Sequence, residues 1–166
     1  MRRTHPTSRK SAETQAGHLV ATYADMILRL SYTYLHSTAD AEDICQTVLL
    51  RVMTGAPAFS SSEHERAWIV RTTINACKDL LRSAARRTTV DLEGAGEPIA
   101  PEPPDDTVTE AVSQLPRDQR EAIYLHYYEG YSIAEVAGLV GASEAAVTKR
   151  LSRARQALRH SLGGQS

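Results

Sequence analysis

Several features that mark common protein classes are scarce in this 166-residue sequence. It has two cysteines, Cys45 and Cys77, which form no CxxC pair and no His–Cys spacing suited to zinc. No stretch approaches the roughly 18 apolar residues of a membrane span, and no apolar segment of a signal peptide follows the basic N-terminus. We therefore expect a soluble cytoplasmic protein, not itself in the membrane, with free thiols packed on apolar helix faces.

Aromatic residues and strand-like patterns are also rare. The chain has one Phe and one Trp, whereas apolar residues as a whole make up 42%. Alternation of polar and apolar residues is almost absent, and long stretches follow the helical period. The sequence predicts an all-α protein with largely aliphatic cores.

Catalytic motifs are missing. There is no HExxH, no GxGxxG after a strand and no serine in a nucleophile-elbow context. The adjacent acids Glu42 and Asp43 open a predicted helix, where the helix dipole favours them. We expect no enzyme, no catalytic residue, no metal, no cofactor and no small-molecule substrate.

Charge is distributed unevenly along the chain, although the net charge is only −1. Residues 1–90 hold twelve basic and eight acidic residues, and residues 109–166 hold seven and six. Residues 91–108 hold six acids, four prolines and no basic residue. An acidic linker thus separates two mildly basic modules, and its composition predicts an extended, flexible segment.

The fold expected is two small helical domains joined by this linker. Residues 1–11 form a disordered basic tail, and residues 12–90 form the first domain, with helices at 12–36, from Ser37 to about 53, and at 63–87. The second domain covers 109–162. In it Pro116 opens a helix to 129, Ser132 caps one at 133–139, Gly141 provides a turn, and Ser143 caps the last helix to about 162.

The last two helices have the layout of a helix-turn-helix, whose second helix enters the DNA major groove. On a helical wheel the last helix buries Val147, Leu151, Ala154 and Leu158. Small residues and cations occupy the outer and flanking positions, where they can approach phosphates and base edges. The candidate DNA-binding residues are Ser143, Ala145, Ala146, Lys149, Arg150, Ser152 and Arg153.

The helix at 63–87 carries a second polar face. Arg71, Asn75, Lys78 and Arg82 line up on it, where cations would neutralise phosphate and the amide would bond a base edge. Trp68 lies at its edge, and a core position is favoured for it over base stacking. A solvated charged face is the alternative for the cations.

The helix after Ser37 presents a different outward face, in which an apolar residue stands among charged ones. Its members are Asp40, Asp43, Gln46, Thr47 and Leu50, with Met53 nearby. Such a mixture often indicates a protein contact, although scattered exposed leucines are also ordinary.

Three segments together resemble the bacterial extracytoplasmic-function (ECF) sigma factors of the sigma-70 family. DAEDICQTVLLRV (40–52) resembles regions 2.1–2.2, RAWIVRTTINACKDLLR (66–82) resembles regions 2.3–2.4, and the segment from 115 to 159 resembles region 4. Thr47, Leu49 and Met53 depart from the acids and aromatics common in region 2.2.

The resemblance implies a promoter-specificity subunit of RNA polymerase. The face from Asp40 to Leu50 would bind core RNA polymerase at the β′ clamp helices, and region 4 would bind the β flap. The face with Arg71, Asn75, Lys78 and Arg82 would recognise and open the −10 element of promoter DNA. The region 4 face from Ser143 to Arg153 would read the −35 element. An anti-sigma factor is an expected further partner.

Two other functions stay open on the residues alone. A helix-turn-helix regulator that works without polymerase would explain the second domain but not the faces at 40–53 and 63–87. A helical adaptor that binds proteins and no DNA would leave the cationic faces without a role.

Overall fold

The computed structural model describes residues 6–90 and 107–164, with side chains described at 10–87 and 107–164. Every regular element in these ranges is helical. The predictions for residues 1–5 of the tail and 91–106 of the linker lie outside the described residues.

The described ranges form two groups of helices. The first half holds α1 (Pro6–Leu35), α2 (Thr38–Gly55) and α3 (Ser62–Val90). The second half holds α4 (Thr107–Ser113), α5 (Arg117–Ile123) with a π-helical turn (Tyr124–Tyr128), α6 (Ile133–Val140) and α7 (Glu144–Gly163).

Helix α1 begins at Pro6, which corrects the predicted disordered tail, because residues 6–11 are helical. Proline fits the first position of a helix, where its missing N–H has no partner to lose. The junction to α2 is tight: His36 has a positive φ of 50°, and the Ser37 hydroxyl accepts a hydrogen bond from the Asp40 N–H at 3.2 Å. The predicted N-cap at Ser37 is confirmed.

The first half packs three amphipathic stripes against one another. The predicted inward residues Ala41, Ile44, Cys45 and Val48 of α2 are buried, and α3 buries Val70, Ile74 and Cys77. Helix α1 contributes Leu19, Tyr23, Ile27, Leu30 and Tyr34 to the same core. Burial of these large side chains stabilises by about 1.5–3 kcal/mol each, which is the main force holding the bundle.

The second half contains the predicted helix-turn-helix. A capping box starts α6, in which Ser132 and Glu135 exchange hydrogen bonds of 3.2 and 2.7 Å. Gly141 ends α6 with φ 72°, a left-handed conformation that favours glycine. The Ser143 hydroxyl accepts from the Ala146 N–H at 3.1 Å and caps α7. Val147, Leu151 and Ala154 of α7 face the core, as predicted.

Two features differ from the expected picture. The helix predicted over 116–129 widens into a π-helical turn, in which the Glu129 N–H bonds the carbonyl of Tyr124 at 3.0 Å. In addition, the two halves pack together, since α1 contacts α5 and α3 contacts α6. Their buried apolar residues form one continuous cluster that includes Leu30, Ile74, Leu125 and Val140.

Candidate nucleic-acid interface

The predicted face of α7 is largely open to solvent. Ser143, Ala145, Lys149, Ser152 and Arg153 are exposed, and Ala146 is half-buried. Small side chains near the start of the helix let its backbone approach a groove closely, and cations further along can reach phosphates. The N-terminal end of α7 adds a partial positive charge from the helix dipole.

Arg150 is the exception on α7. Its side chain is only 27% exposed, and its Nε lies 3.5 Å from Oδ2 of Asp118 on α5. The structure therefore does not bring Arg150 to the same open surface as Lys149 and Arg153.

The predicted face of α3 is also divided. Arg71, Asn75 and Arg82 are exposed, and Arg82 pairs with Asp79 at 2.9 Å on its own helix. Lys78 is half-buried, and its ammonium donates a hydrogen bond of 3.3 Å to the carbonyl of Val140 at the end of α6. Three of the four residues thus share an accessible surface, and the fourth is bound to the second half of the chain.

Trp68 lies half-buried against the core, in agreement with the favoured core position. Its ring meets that of Phe59 edge-on, with centroids 5.7 Å apart. The segment before α3 is held locally, because the Ser61 hydroxyl accepts from the His64 N–H at 3.1 Å. These contacts fix the start of the helix that carries Arg71 and Asn75.

The outward face of α2 matches its predicted character. Asp43, Gln46, Thr47 and Leu50 are exposed, and Asp40 is half-buried in the first turn. Leu50 is 56% exposed and Met53 is 45% exposed. Two large apolar side chains beside charged residues give α2 a surface suited to another protein.

A buried polar cluster between the halves was not predicted. Glu121 of α5 is 4% exposed, and its carboxylate accepts a hydrogen bond from the Tyr34 hydroxyl of α1. Burial raises the pKa of Glu121, and the bond from Tyr34 lowers it in part. Sequence gives no signal for this contact, because Glu121 stands in the polar run RDQRE and has the appearance of a surface residue.

Lys78 and Arg150 lie beside Glu121. Both line a cavity of about 360 Å³, together with Tyr34, Arg117, Asp118 and Val140. One cation from each predicted DNA-binding face therefore lies at the junction of the two halves.

The two cysteines are not exposed on these surfaces. Cys45 and Cys77 are free and buried, and burial raises the pKa of Cys77 to about 11, so its thiolate is disfavoured. Among the described residues, no cluster of His, Cys, Asp and Glu is arranged to hold a metal ion. Within the same ranges, no helix is both long and apolar enough to cross a membrane.

Comparison with known families matches both halves of the chain. The model for "Sigma-70 region 2" covers residues 19–87, and that for "Sigma-70, region 4" covers residues 105–158. The two matches, in this order, define the sigma-70 class of transcription-initiation proteins.

The curated relatives of this chain include ECF sigma factors. The ECF RNA polymerase sigma factor SigM of Mycobacterium tuberculosis is 34% identical over 173 residues, which covers 93% of this chain and 86% of the relative. The ECF sigma factor SigW of Bacillus subtilis is 25% identical over 93% of this chain and 92% of the relative.

Solved structures agree in fold. The sigma factor RpoE of Bartonella quintana, crystallised with the anti-sigma factor NepR, superposes with a TM-score of 0.75 at 22% identity, over 89% of this chain and 96% of that one. CnrH, in complex with the cytosolic domain of CnrY, superposes with a TM-score of 0.64 at 25% identity, over 95% of this chain and 96% of that one. The chain belongs to the ECF sigma factors of the sigma-70 family, which direct RNA polymerase to promoters and initiate transcription.

Proposed function

We propose that this sigma factor uses three separate faces to bind polymerase, the −10 element and the −35 element. Leu50 and its polar neighbours on α2 bind the clamp helices of the β′ subunit, while region 4 contacts the β flap. Arg71 and Asn75 on α3 recognise and open the −10 element. Lys149, Ser152 and Arg153 on α7 read the −35 element in duplex form.

The observation that carries the proposal is the exposure of these faces on three different helices. The faces of α3 and α7 are cationic on their outer side, that of α2 combines polar residues with exposed Leu50, and each is backed by a buried apolar stripe. A single DNA-binding unit would need only α6 and α7, whereas the open faces of α2 and α3 supply surfaces for a second DNA element and for a protein.

The partners follow from this division. Core RNA polymerase and promoter DNA are the working partners, and an anti-sigma factor is the regulatory one, as in the structural relative solved with the anti-sigma factor NepR. The chain itself catalyses no reaction, needs no cofactor, and acts in the cytoplasm beside the polymerase.

In vitro transcription with core polymerase tests the function. The purified chain should direct the enzyme to a discrete set of start sites that are absent without it, mapped across a genomic library. Discrete sequence-specific DNA binding without any association with core polymerase would instead favour the polymerase-independent regulator. Polymerase binding without new start sites would favour the adaptor.

The α2 face is tested by a matched pair of variants. Leu50→Asp should weaken core binding at least tenfold, because a charge replaces an apolar contact at the interface. Val20→Asp on α1 is the control, since Val20 is 51% exposed and undergoes the same change. Equal core affinity for both variants would remove Leu50 from the polymerase contact.

A further inference from the structure

Residues 56–61 join α2 to α3, and we call them the entry segment. His64, an exposed residue in the first turn of α3, holds this segment through its side chain. Its Nδ1 accepts a hydrogen bond of 3.3 Å from the backbone N–H of Ser60 and lies 3.2 Å from the Ser60 hydroxyl. Because the Ser60 N–H can only donate, Nδ1 carries no proton in this contact, and the imidazole proton is on Nε2.

The contacts around Ser61 form a variant of the capping box. Ser61 is the N-cap of α3, since its hydroxyl accepts from the His64 N–H at 3.1 Å and its carbonyl accepts from the Glu65 N–H at 3.1 Å. In the ordinary capping box, the third residue of the helix is Glu or Gln, and its side chain bonds the N–H of the N-cap residue. His64 is this third residue, but it bonds the N–H one residue earlier, that of Ser60. Its imidazole therefore orders the entry segment beyond the end of the helix.

Two rings of α3 hold the aromatic residue of the entry segment. The ring of Phe59 meets that of His64 edge-on, with centroids 5.5 Å apart, and meets that of Trp68 with centroids 5.7 Å apart. Edge-to-face pairs are favourable at such separations. Phe59 is half-buried, whereas Ser60 beside it is exposed. The segment is thus anchored by its ring and presents its serine to solvent.

His64 also begins the face of α3 that the proposed function assigns to the −10 element. One side of α3 is formed by residues that follow each other at steps of four and three, namely His64, Trp68, Arg71, Asn75, Lys78 and Arg82. Arg71 is two helical turns beyond His64, about 10 Å along the axis. Ser60 therefore lies at the end of the surface on which Arg71 and Asn75 are exposed. A DNA strand that follows this surface past Arg71 meets the entry segment.

We propose that His64 is a positioning residue for −10 recognition, which holds the entry segment in the conformation that meets the DNA strand. This inference rests on the proposed function of α3 and adds a residue to it. His64 acts through the bond from its Nδ1 to Ser60 and does not itself contact DNA. A segment that is ordered before binding loses less conformational entropy when DNA arrives, so the bond favours the complex with the opened strand.

Three substitutions separate the bond to Ser60 from the other roles of His64. The amide oxygen of His64→Asn is as many bonds from the backbone as Nδ1, so this variant keeps an acceptor for the Ser60 N–H. His64→Gln can form the ordinary capping box with Ser61, which preserves the helix start and releases Ser60. His64→Ala removes both possibilities.

Amide exchange in the free chain, followed by NMR, tests the bond itself. Exchange at Ser60 should be about fivefold faster in His64→Gln and His64→Ala, as expected for the loss of one hydrogen bond. The Asn variant should remain close to the native chain. Unchanged exchange at Ser60 in His64→Gln would overturn the inference before any DNA is added.

Promoter opening by the holoenzyme tests the role in recognition, measured by permanganate reactivity of −10 thymines. His64→Gln should lower opening about fivefold, with unchanged affinity for core polymerase and for a −35 duplex, and His64→Asn should restore it. His18→Ala is the control, because it removes another exposed histidine from the first half and should change none of these. If His64→Ala does not fold, the comparison of the Gln and Asn variants stands without it.

The outcomes separate this inference from the function on which it rests. Normal opening by His64→Gln together with impaired opening by Asn75→Ala would refute the positioning role alone. Equal losses for His64→Asn and His64→Gln would show that the ring itself contacts DNA, which also refutes it. Normal opening by both Asn75→Ala and His64→Gln would refute the proposed role of α3, and the inference with it.

Discussion

At the residue scale, Arg153 should contribute directly to −35 recognition. It is exposed on α7, whereas Arg150 on the same helix is turned toward Asp118. Arg153→Ala should weaken −35 binding by the holoenzyme roughly tenfold, or about 1.4 kcal/mol, which lies within the range of about 1–3 kcal/mol for a base-edge contact. Filter binding or fluorescence anisotropy on −35 duplexes measures this.

The control for Arg153 is Lys10→Ala, which removes one exposed cation from α1, remote in sequence from both DNA-binding faces. If Arg153 contacts a phosphate rather than a base, its loss should also reduce the slope of log affinity against log salt by about 0.9. An unchanged affinity and slope would exclude Arg153 from the interface.

Asn75 should act on the −10 element through hydrogen bonding rather than charge. Asn75→Ala should lower promoter opening several-fold, measured by permanganate reactivity of −10 thymines, with little change in salt dependence, because no cation is lost. Arg71→Ala, four residues earlier on the same exposed face, should instead change the salt dependence. Normal opening by the Asn75 variant would place base recognition elsewhere.

Glu121 should make stability depend on pH. It faces Tyr34 of α1, Lys78 of α3, Asp118 of α5 and Arg150 of α7, and burial raises its pKa. A carboxyl group whose pKa is raised by folding contributes fully to the stability of the folded state at a pH below its unfolded pKa. This contribution is lost as the pH rises through its folded pKa. The free energy of unfolding of the native chain should therefore fall relative to Glu121→Gln as the pH rises above about 4.5, as urea denaturation would show.

Glu135→Gln provides a comparison of opposite sign. Hydrogen bonds from Ser132, the backbone one first, lower the pKa of Glu135, so its contribution is present above the unfolded pKa and is lost as pH falls through the lowered value. The loss in free energy of unfolding that Glu135→Gln causes should therefore become smaller in acid. If the stability differences of the two variants from the native chain changed with pH in the same direction, the local environment would not control the pKa values of Glu121 and Glu135.

At the element scale, the turn of the helix-turn-helix depends on Gly141. Its φ is +72°, and a Cβ added there would meet nothing within 4 Å, so Gly141→Ala tests backbone strain alone. We expect a loss of about 1–2 kcal/mol in the free energy of unfolding. Gly138→Ala, inside α6 with equally open space, should stabilise by about 0.5–1 kcal/mol.

Thermal or urea denaturation of the two glycine variants distinguishes turn geometry from helix propensity. Opposite signs are expected, although both substitutions add the same methyl group three residues apart. Equal effects would show that the left-handed turn does not control folding of this unit.

The same elements show what local sequence could predict. The caps at Ser37, Ser132 and Ser143 were predicted correctly, because each depends on a short-range bond between the serine side chain and a nearby backbone N–H. The turn at Gly141 was also predicted correctly, because its left-handed backbone favours glycine. The start of α1 and the π-helical turn were missed. The polar run before residue 12 has no apolar period to indicate that the helix starts earlier. The widened turn after Ile123 lies where Tyr124 approaches the carbonyl of Met26 at 3.5 Å and Tyr128 lies under Arg29 of α1.

At the scale of the whole molecule, the two halves could be predicted separately but not their contact. Periodicity identifies which residues of α3 and α7 are buried within each half. It cannot show that Lys78 meets Val140 or that Tyr34 meets Glu121, because these partners are 62 and 87 residues apart. The exposure of most candidate DNA-binding residues follows from the wheel, whereas the inward turn of Lys78 and Arg150 follows only from how the halves pack.

The covalent connection between the halves should matter most on promoters that need both elements. A tether keeps region 4 at an effective concentration on the order of millimolar near its site, and cleavage turns −35 capture into a second binding event. A protease site inserted after Ala100, in the acidic segment, leaves both family-matched regions intact. At submicromolar protein, cleavage should lower transcription from a promoter with both elements at least tenfold. A promoter with a scrambled −35 element is the control and should change little, because region 2 alone then selects it. Equal output from the cleaved and intact chains on both promoters would show that polymerase, rather than the tether, holds region 4 in place.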